Sequence, residues 1–459
     1  MPALSNNLQS ILDEFCNYNI SSSPQVIIYT PKNSNRLIFA CDFIFKQGLR
    51  INYSITENEK EFVDSTLAKI NYSEREFKGT LNLLPSGLLL ETDTKVFKRP
   101  HHKENGLIYF FHTPDRDFHF DVFSSVFYFV SRYEEWLSFV ADKHGRFESR
   151  ASLLYILSAH KKPMVDYWIL DLKKFLLNLY PNLNFPEKKF KYLSTIDVDN
   201  VYAYKAKPLT RALGASVKDF LNLNFQSIIE RIKTLYFLKK DPFDAYDLQI
   251  ELSERTNVPL LYFFLYRNDT EHDRTIDPDH PQFKKLLKKI TEKRVDIGIH
   301  PSYFSSNETK LFRSETELLR KNSGQPIEFS RQHYLRWDVG STANELTKCG
   351  IKYDFTMGYA GDIGFRAGTS LPFYYFDFEK NEQMPLITIP FALMDGAFYT
   401  YQQIKPKDAE KDFLEIANEV KKVNGLFVTV FHDRTFGTNF FPGWRSLYIR
   451  LQEKIGALQ

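Results

Sequence analysis

The chain has 459 residues, of which 43% are hydrophobic and 25% charged, with a formal net charge of +3. That length holds two or three domains, each with its own core. So small a net charge gives no general pull toward nucleic acid, and no groove-reading motif is present. Cys16, Cys41 and Cys349 are scattered and form no CxxC pair. This argues against a disulfide scaffold or thiolate zinc site and fits a reducing compartment. The first residues lack the basic and apolar pattern of a signal peptide, and the most apolar stretch, Phe120–Phe129, is too short and polar to span a bilayer. A cytoplasmic location is the expectation. Aromatic residues make up 16% of the chain, a density that suits thick cores and sugar-stacking clefts alike.

In chain order, Val26–Tyr29, Leu37–Phe39 and Leu107–Phe111 read as strands bounded by Pro, Asn or Gly. Helices are expected over Asp121–Leu137 and Val165–Leu179, where apolar residues recur every three or four positions. Pro181 and Pro186 close this segment and set a domain boundary there, dividing the chain into residues 1–187 and 188–459. From residue 188 strands and amphipathic helices alternate. The strands are Phe190–Ile196, Val258–Leu265, Val295–Ile299, Ile327–Phe329, Ile387–Ile389 and Leu426–Phe431; the helices include Pro281–Lys293, Glu315–Lys321 and Ala409–Val423. Gly324, Gly350 and Gly425 sit where helix ends call for a left-handed residue. Repeated β-then-α units imply a parallel sheet, open or closed into a barrel. No GxGxxG or Walker loop marks it as nucleotide-binding.

The strand ends carry ionisable groups. Asp197 and Asp199 follow Ile196, His300 follows Ile299, Arg331 and His333 follow Phe329, and His432 follows Phe431. In parallel α/β folds the loops at the C-terminal strand ends converge on the active site. Each residue taken singly has an ordinary reading as a helix cap, a core histidine or a surface ion pair. It is their shared placement that predicts one polar site.

The ordered set resembles the NodB-type polysaccharide deacetylases (carbohydrate esterase family four). Ser194-Thr195-Ile196-Asp197-Val198-Asp199 is similar to that family's first motif, Ile299-His300-Pro301-Ser302 to the second, and Arg331 with Tyr334 to the third. Asp354-Phe355-Thr356-Met357-Gly358-Tyr359 is similar to the fourth and Val428-Thr429-Val430-Phe431-His432 to the fifth. The segments HPSY, RQHYLR and MGYAGDIGFRAG look like a divergent bacterial branch. The SRYEE…DKHGRF stretch resembles the uncharacterised domain that precedes the barrel in that branch. The resemblance implies an α/β chain with a C-terminal NodB-like (β/α) barrel behind a smaller α+β domain. It further implies hydrolysis of an N-acetyl group on an amino sugar or glycan with a divalent ion, zinc first and cobalt, nickel or manganese as alternatives.

By the same resemblance Asp197 is the general base, Asp199 and His300 are metal ligands, and Arg331 orients Asp197 and keeps it ionised. His432 is the general acid, Asp354 tunes it, Tyr359 walls the acetyl pocket, and Tyr334 joins it in contacting substrate. Two departures stand out. Position 304 is Phe where the family has a second histidine, which leaves His333 as the candidate third ligand. Val198 separates two acids that are adjacent in the family, so which of them is base and which ligand stays open. Two other functions remain: an incompetent glycan-binding or biosynthetic partner protein, and an amidase acting on a small molecule. Residues 205–240 hold eight Lys/Arg against two acids, with Phe220, Phe225, Tyr236 and Phe237 interleaved. They are either a solvated helical excursion or a peripheral contact with the inner membrane.

Overall fold

The computed structural model describes residues 6–459 except 117, 208–213, 215, 218 and 237–238, so Phe237 lies outside the described residues. In the first part, β1 (Val26–Tyr29), β2 (Tyr53–Thr56), β3 (Ala68–Tyr72) and β4 (Leu81–Leu83) form a parallel sheet in the order β2-β1-β3-β4. Helices Asn35–Cys41 and Glu59–Asp64 make the crossovers. This region is therefore α/β, where the sequence suggested α+β. The difference begins at Leu37–Phe39, expected as a strand but set inside the first crossover helix. Three apolar residues cannot distinguish the two states. The Ser34 side chain decides, accepting a hydrogen bond from the Leu37 backbone at 3.1 Å as an N-cap. An antiparallel hairpin, β5 (His101–Glu104) and β6 (Leu107–Phe110), follows. The helix expected over 121–137 ends at Val130, because Arg132 turns left-handed (φ 61°) before a short second helix, Tyr133–Trp136.

The larger sheet, among the described residues, holds β7 (Lys191–Val198), β8 (Leu260–Leu265), β9 (Asp296–His300), β10 (Phe329–Ser330), β11 (Tyr353–Asp354), β12 (Phe373–Asp377), β13 (Glu382–Thr388), β14 (Leu393–Met394) and β15 (Leu426–His432). Their order is β12-β13-β11-β10-β9-β8-β7-β15-β14, parallel throughout except for β12. Among the described residues no ladder joins β14 to β12, so the sheet, expected as open or closed into a (β/α) barrel, is open. β12 packs against the first part of the chain through one face. Phe376 packs against Phe39 and Phe127 of the first part, with ring centroids 5.1 Å apart in both pairs.

Strand alternation divides the large sheet between two cores. Tyr192, Ile196, Val198, Tyr262, Phe264 and Phe431 pack with the helices Pro281–Glu292, Pro406–Lys422 and Trp444–Gly456. Leu193, Leu261, Phe263, Val428 and Val430 face the other way and join one continuous core with Phe127, Phe129 and Trp168 of the first part. The same two-residue period explains the first motif. Val198 enters the helix-side core, and Asp197 and Asp199, two apart, are set on the opposite face.

Gly324 caps its helix at φ 69° and Gly350 is also left-handed, as expected. Gly425 is not: Asn424 takes the left-handed turn (φ 50°). Gly425 is needed for closeness, because a Cβ there would lie 2.0 Å from the Ser370 hydroxyl. No helix among the described residues is long and apolar enough to cross a membrane.

Candidate active site

The C-terminal ends of β7, β9, β10, β14 and β15 open on a cavity of about 470 Å³ whose lining includes Asp197, Asp199, His300, His333, Tyr334 and His432. The strand register brings these groups level. Asp197 is paired with His432 across β7 and β15, and His300 lies beside Leu265 across β8 and β9.

Asp199, His300 and His333 are all buried, and their ligand-capable atoms lie within 4.8 Å of one another. His300 Nδ1 is 2.5 Å from the Arg331 carbonyl, which can only accept, so Nδ1 carries the proton. His333 Nδ1 is 2.8 Å from Asp273 Oδ1. Burial would raise the pKa of Asp273, but its hydrogen bonds from His333, Thr270 and the Tyr303 amide hold it below the usual range, so it too accepts. In their neutral forms both imidazoles therefore turn an Nε2 lone pair inward. These stand 3.5 Å (His300) and 3.7 Å (His333) from Asp199 Oδ1, a buried oxygen with no hydrogen-bond partner. Three acceptors facing one another in a buried space repel unless a cation lies among them. Bonds of 2.0–2.2 Å to a tetrahedral ion place ligand atoms about 3.4 Å apart, so the donor set fits such an ion. Burial lowers the pKa of His333, which favours the neutral, ligating form.

Asp199 itself is held well below the usual carboxylate range. Burial pushes its pKa up, but the charge of the Arg434 guanidinium outweighs that. Arg434 donates to its other oxygen, Oδ2. Asp433 fixes the backbone here, accepting from the amides of Asp199 (3.2 Å) and Asn200 (3.0 Å). It does not pair with the His432 ring beside it.

Asp197 accepts from Arg331 at 2.6 Å. That guanidinium is fully buried, lies 4.4 Å over the Phe263 ring and also donates to the Phe355 carbonyl at 3.0 Å. On the neighbouring strand, His432 Nδ1 is 2.6 Å from Asp395 Oδ1, and the His432 amide donates to Oδ2 at 2.8 Å. Burial disfavours the imidazolium, but the adjacent Asp395 carboxylate pushes the His432 pKa up to about 9.

The partnership expected between Asp354 and His432 is not formed. The Asp354 carboxylate accepts from the hydroxyl and amide of Thr356, at 2.7 and 2.9 Å, and burial lifts its pKa to about 7. Asp354 reaches the site through charge interaction with Arg331. Tyr359 is buried outside the cavity, among the charges of Glu134, Arg132 and Arg366, and the wall at this point is Ala360. Phe304 is half exposed and is not part of the lining.

Sequence reasoning misses Asp273, Asp395, Arg434 and Arg146. Arg146, from the DKHGRF segment, reaches the cavity from the first part of the chain. It is tied to Asp142 (2.6 Å), and it donates to the Tyr334 carbonyl and the Tyr401 hydroxyl, both at 2.9 Å. Tyr334 and Leu335 both have left-handed backbones (φ 59° and 55°), a strained turn that this clamp helps hold. The SRYEE segment joins the two parts more deeply. Glu135 accepts from Arg366 at 2.6 and 2.7 Å and from Arg132 at 2.9 Å, all three side chains buried.

The profile of DUF7033, a family of unknown function, matches residues 26–181. A comparison with curated protein sequences found no match. Among solved structures, one from Mycobacterium smegmatis described as a polysaccharide deacetylase is 15% identical, with a TM-score of 0.39 over 60% of this chain and 87% of its own. Another so described, from Pseudomonas aeruginosa PAO1, is 11% identical, with a TM-score of 0.37 over 60% of this chain and 94% of its own. A CE4 family pseudoenzyme from Bacillus anthracis is 10% identical, with a TM-score of 0.26 over 58% of this chain and 62% of its own. These scores are low, and the chemistry of the site stands on its own residues.

Proposed function

We propose that this chain is a metal-dependent hydrolase that removes N-acetyl groups from an amino sugar or glycan precursor. One observation carries the reading: buried Asp199 Oδ1, without a hydrogen-bond partner, faces two inward imidazole nitrogens beside Asp197 and His432. A divalent ion held by Asp199, His300 and His333, with zinc the first choice, would polarise the acetyl carbonyl and acidify a water. Asp197, clamped by Arg331, is the base that takes the proton of the attacking water. His432, with its pKa at about 9, is protonated at neutral pH and gives its proton to the departing amine. Thus Asp199 is the ligand and Asp197 the base. Tyr334 and Tyr401 offer ring surface at the mouth for a sugar. Residues 188–459 form the catalytic unit in this reading, and residues 1–187 form a second unit that braces its mouth.

A second reading, a glycan-binding protein without catalysis, is favoured by the Arg434–Asp199 ion pair, which engages one oxygen of the key carboxylate. Acetate release from N-acetylglucosamine oligomers separates the two, using protein stripped by a chelator and reloaded with Zn²⁺ or Co²⁺. Ion-dependent release is the expected result. Metal-loaded protein that frees no acetate from any acetylated oligomer would contradict the hydrolase. Release from small acetamides alone would favour the amidase.

A further inference from the structure

The helix Phe225–Leu235, in the excursion that follows β7, is seated with its faces reversed. Glu230, Arg231 and Thr234 are turned into the protein and are at most 7% exposed. Glu230 accepts from Asn439 at 2.7 Å, and Arg231 donates to Ser216 at 2.7 Å and to Asp219 at 2.5 Å. Phe225, Ile229, Ile232 and Tyr236, spaced by four, three and four residues, form a single stripe on the opposite side, and each is at least 50% exposed. Val217, Phe220, Leu221 and Leu223, just before the helix, are also at least 60% exposed. A solvated surface helix shows the opposite arrangement, and a contiguous exposed apolar patch of this kind marks a surface that something covers.

We propose that this stripe docks on an anionic membrane surface. Charge favours that occupant: residues 205–240 carry eight Lys/Arg against two acids, the combination of apolar insertion and basic excess that holds a helix in the headgroup region. Lys233 is exposed and, at 100° per residue, falls beside the stripe, where its stem can lie along the acyl boundary while its ammonium meets headgroup phosphates. Location supports it as well. The excursion leaves the C-terminal end of β7, the end that carries Asp197 and Asp199, and Lys207 within it shares a second cleft with Asn200 and Arg274, which also line the main cavity. Docking here holds the cavity mouth near the lipid surface, within reach of a substrate carried on a lipid. The docking itself does not depend on the reaction proposed above.

Cosedimentation of the full chain with vesicles tests it, comparing pure phosphatidylcholine with phosphatidylcholine containing phosphatidylglycerol. Binding is expected to be about ten-fold stronger on the anionic vesicles, to weaken with added salt, and to be lost in the Ile229→Ser/Ile232→Ser double variant. Both positions are exposed, so circular dichroism of that variant should match the parent. Absence of binding to anionic vesicles, or binding unchanged in the double variant, would overturn the proposal. So would light scattering that shows a dimer for the parent and a monomer for the variant, since the stripe would then be covered by a second copy.

Discussion

Asp273 Oδ1 lies 2.8 Å from His333 Nδ1, and this contact points His333 Nε2 at Asp199. Asp273 is itself anchored, accepting from the Thr270 hydroxyl at 2.6 Å and the Tyr303 amide at 3.0 Å. Carboxylates behind a ligating histidine fix its tautomer and raise its basicity, and their loss costs roughly 10–100-fold in metal affinity. Asp273→Asn should weaken zinc binding by that factor in a competitive chelator titration. Unchanged affinity would mean that His333 is not a ligand.

Asp395 holds the proton on His432. Because the folded pKa of about 9 lies above the ordinary value of roughly 6.5, the pair stabilises the fold fully below about pH 6.5 and loses that contribution as pH rises through about 9. Activity that needs the imidazolium should fall along the same alkaline limb. Asp395→Asn leaves burial to act without its counter-charge, so the limb should move down by more than about one pH unit. A pH–rate profile reads this directly.

The buried pair Glu135–Arg366 ties the first part of the chain to the segment after β11. Removing one partner leaves an unpaired buried charge, at a cost of about 3–5 kcal/mol. Glu135→Ala should lower the urea midpoint accordingly. The Glu135→Ala/Arg366→Met double variant should lose less than the sum of the single changes.

Arg146→Ala releases the Tyr334 carbonyl and the Tyr401 hydroxyl together. Two hydrogen bonds at about 1 kcal/mol each, expressed in substrate contact and not at the reacting atoms, raise KM by about thirty-fold while kcat is largely kept. An equal fall in kcat would place Arg146 in the chemistry itself.

Much of this was legible because strand ends are. Asp197, His300 and His432 each follow a buried apolar run, and the two-residue spacing of Asp197 and Asp199 sets both on one face. Asp395 obeys the same rule, directly after β14, but a strand of two residues leaves no periodic trace. Asp273 sits in an irregular loop with charged neighbours, where only the fold reveals its partner. Arg146 lies 188 residues from Tyr334, and no local pattern reports such a contact. Tyr359 was misplaced for the same reason: motif order cannot show that the chain turns its phenol toward Glu134 and leaves Ala360 at the wall. The choice between an open and a closed sheet was also hidden. β12 packs through Phe376 on Phe39 and Phe127, more than 200 residues earlier, a contact that no local pattern reports.

Metal stoichiometry bears most directly on the central claim, that Asp199, His300 and His333 form a cation site. Elemental analysis of the purified chain after equilibration with zinc and removal of excess should give one ion per chain, and Asp199→Ala should abolish it. A chain that retains no ion, or an Asp199→Ala variant that retains one, would contradict the account.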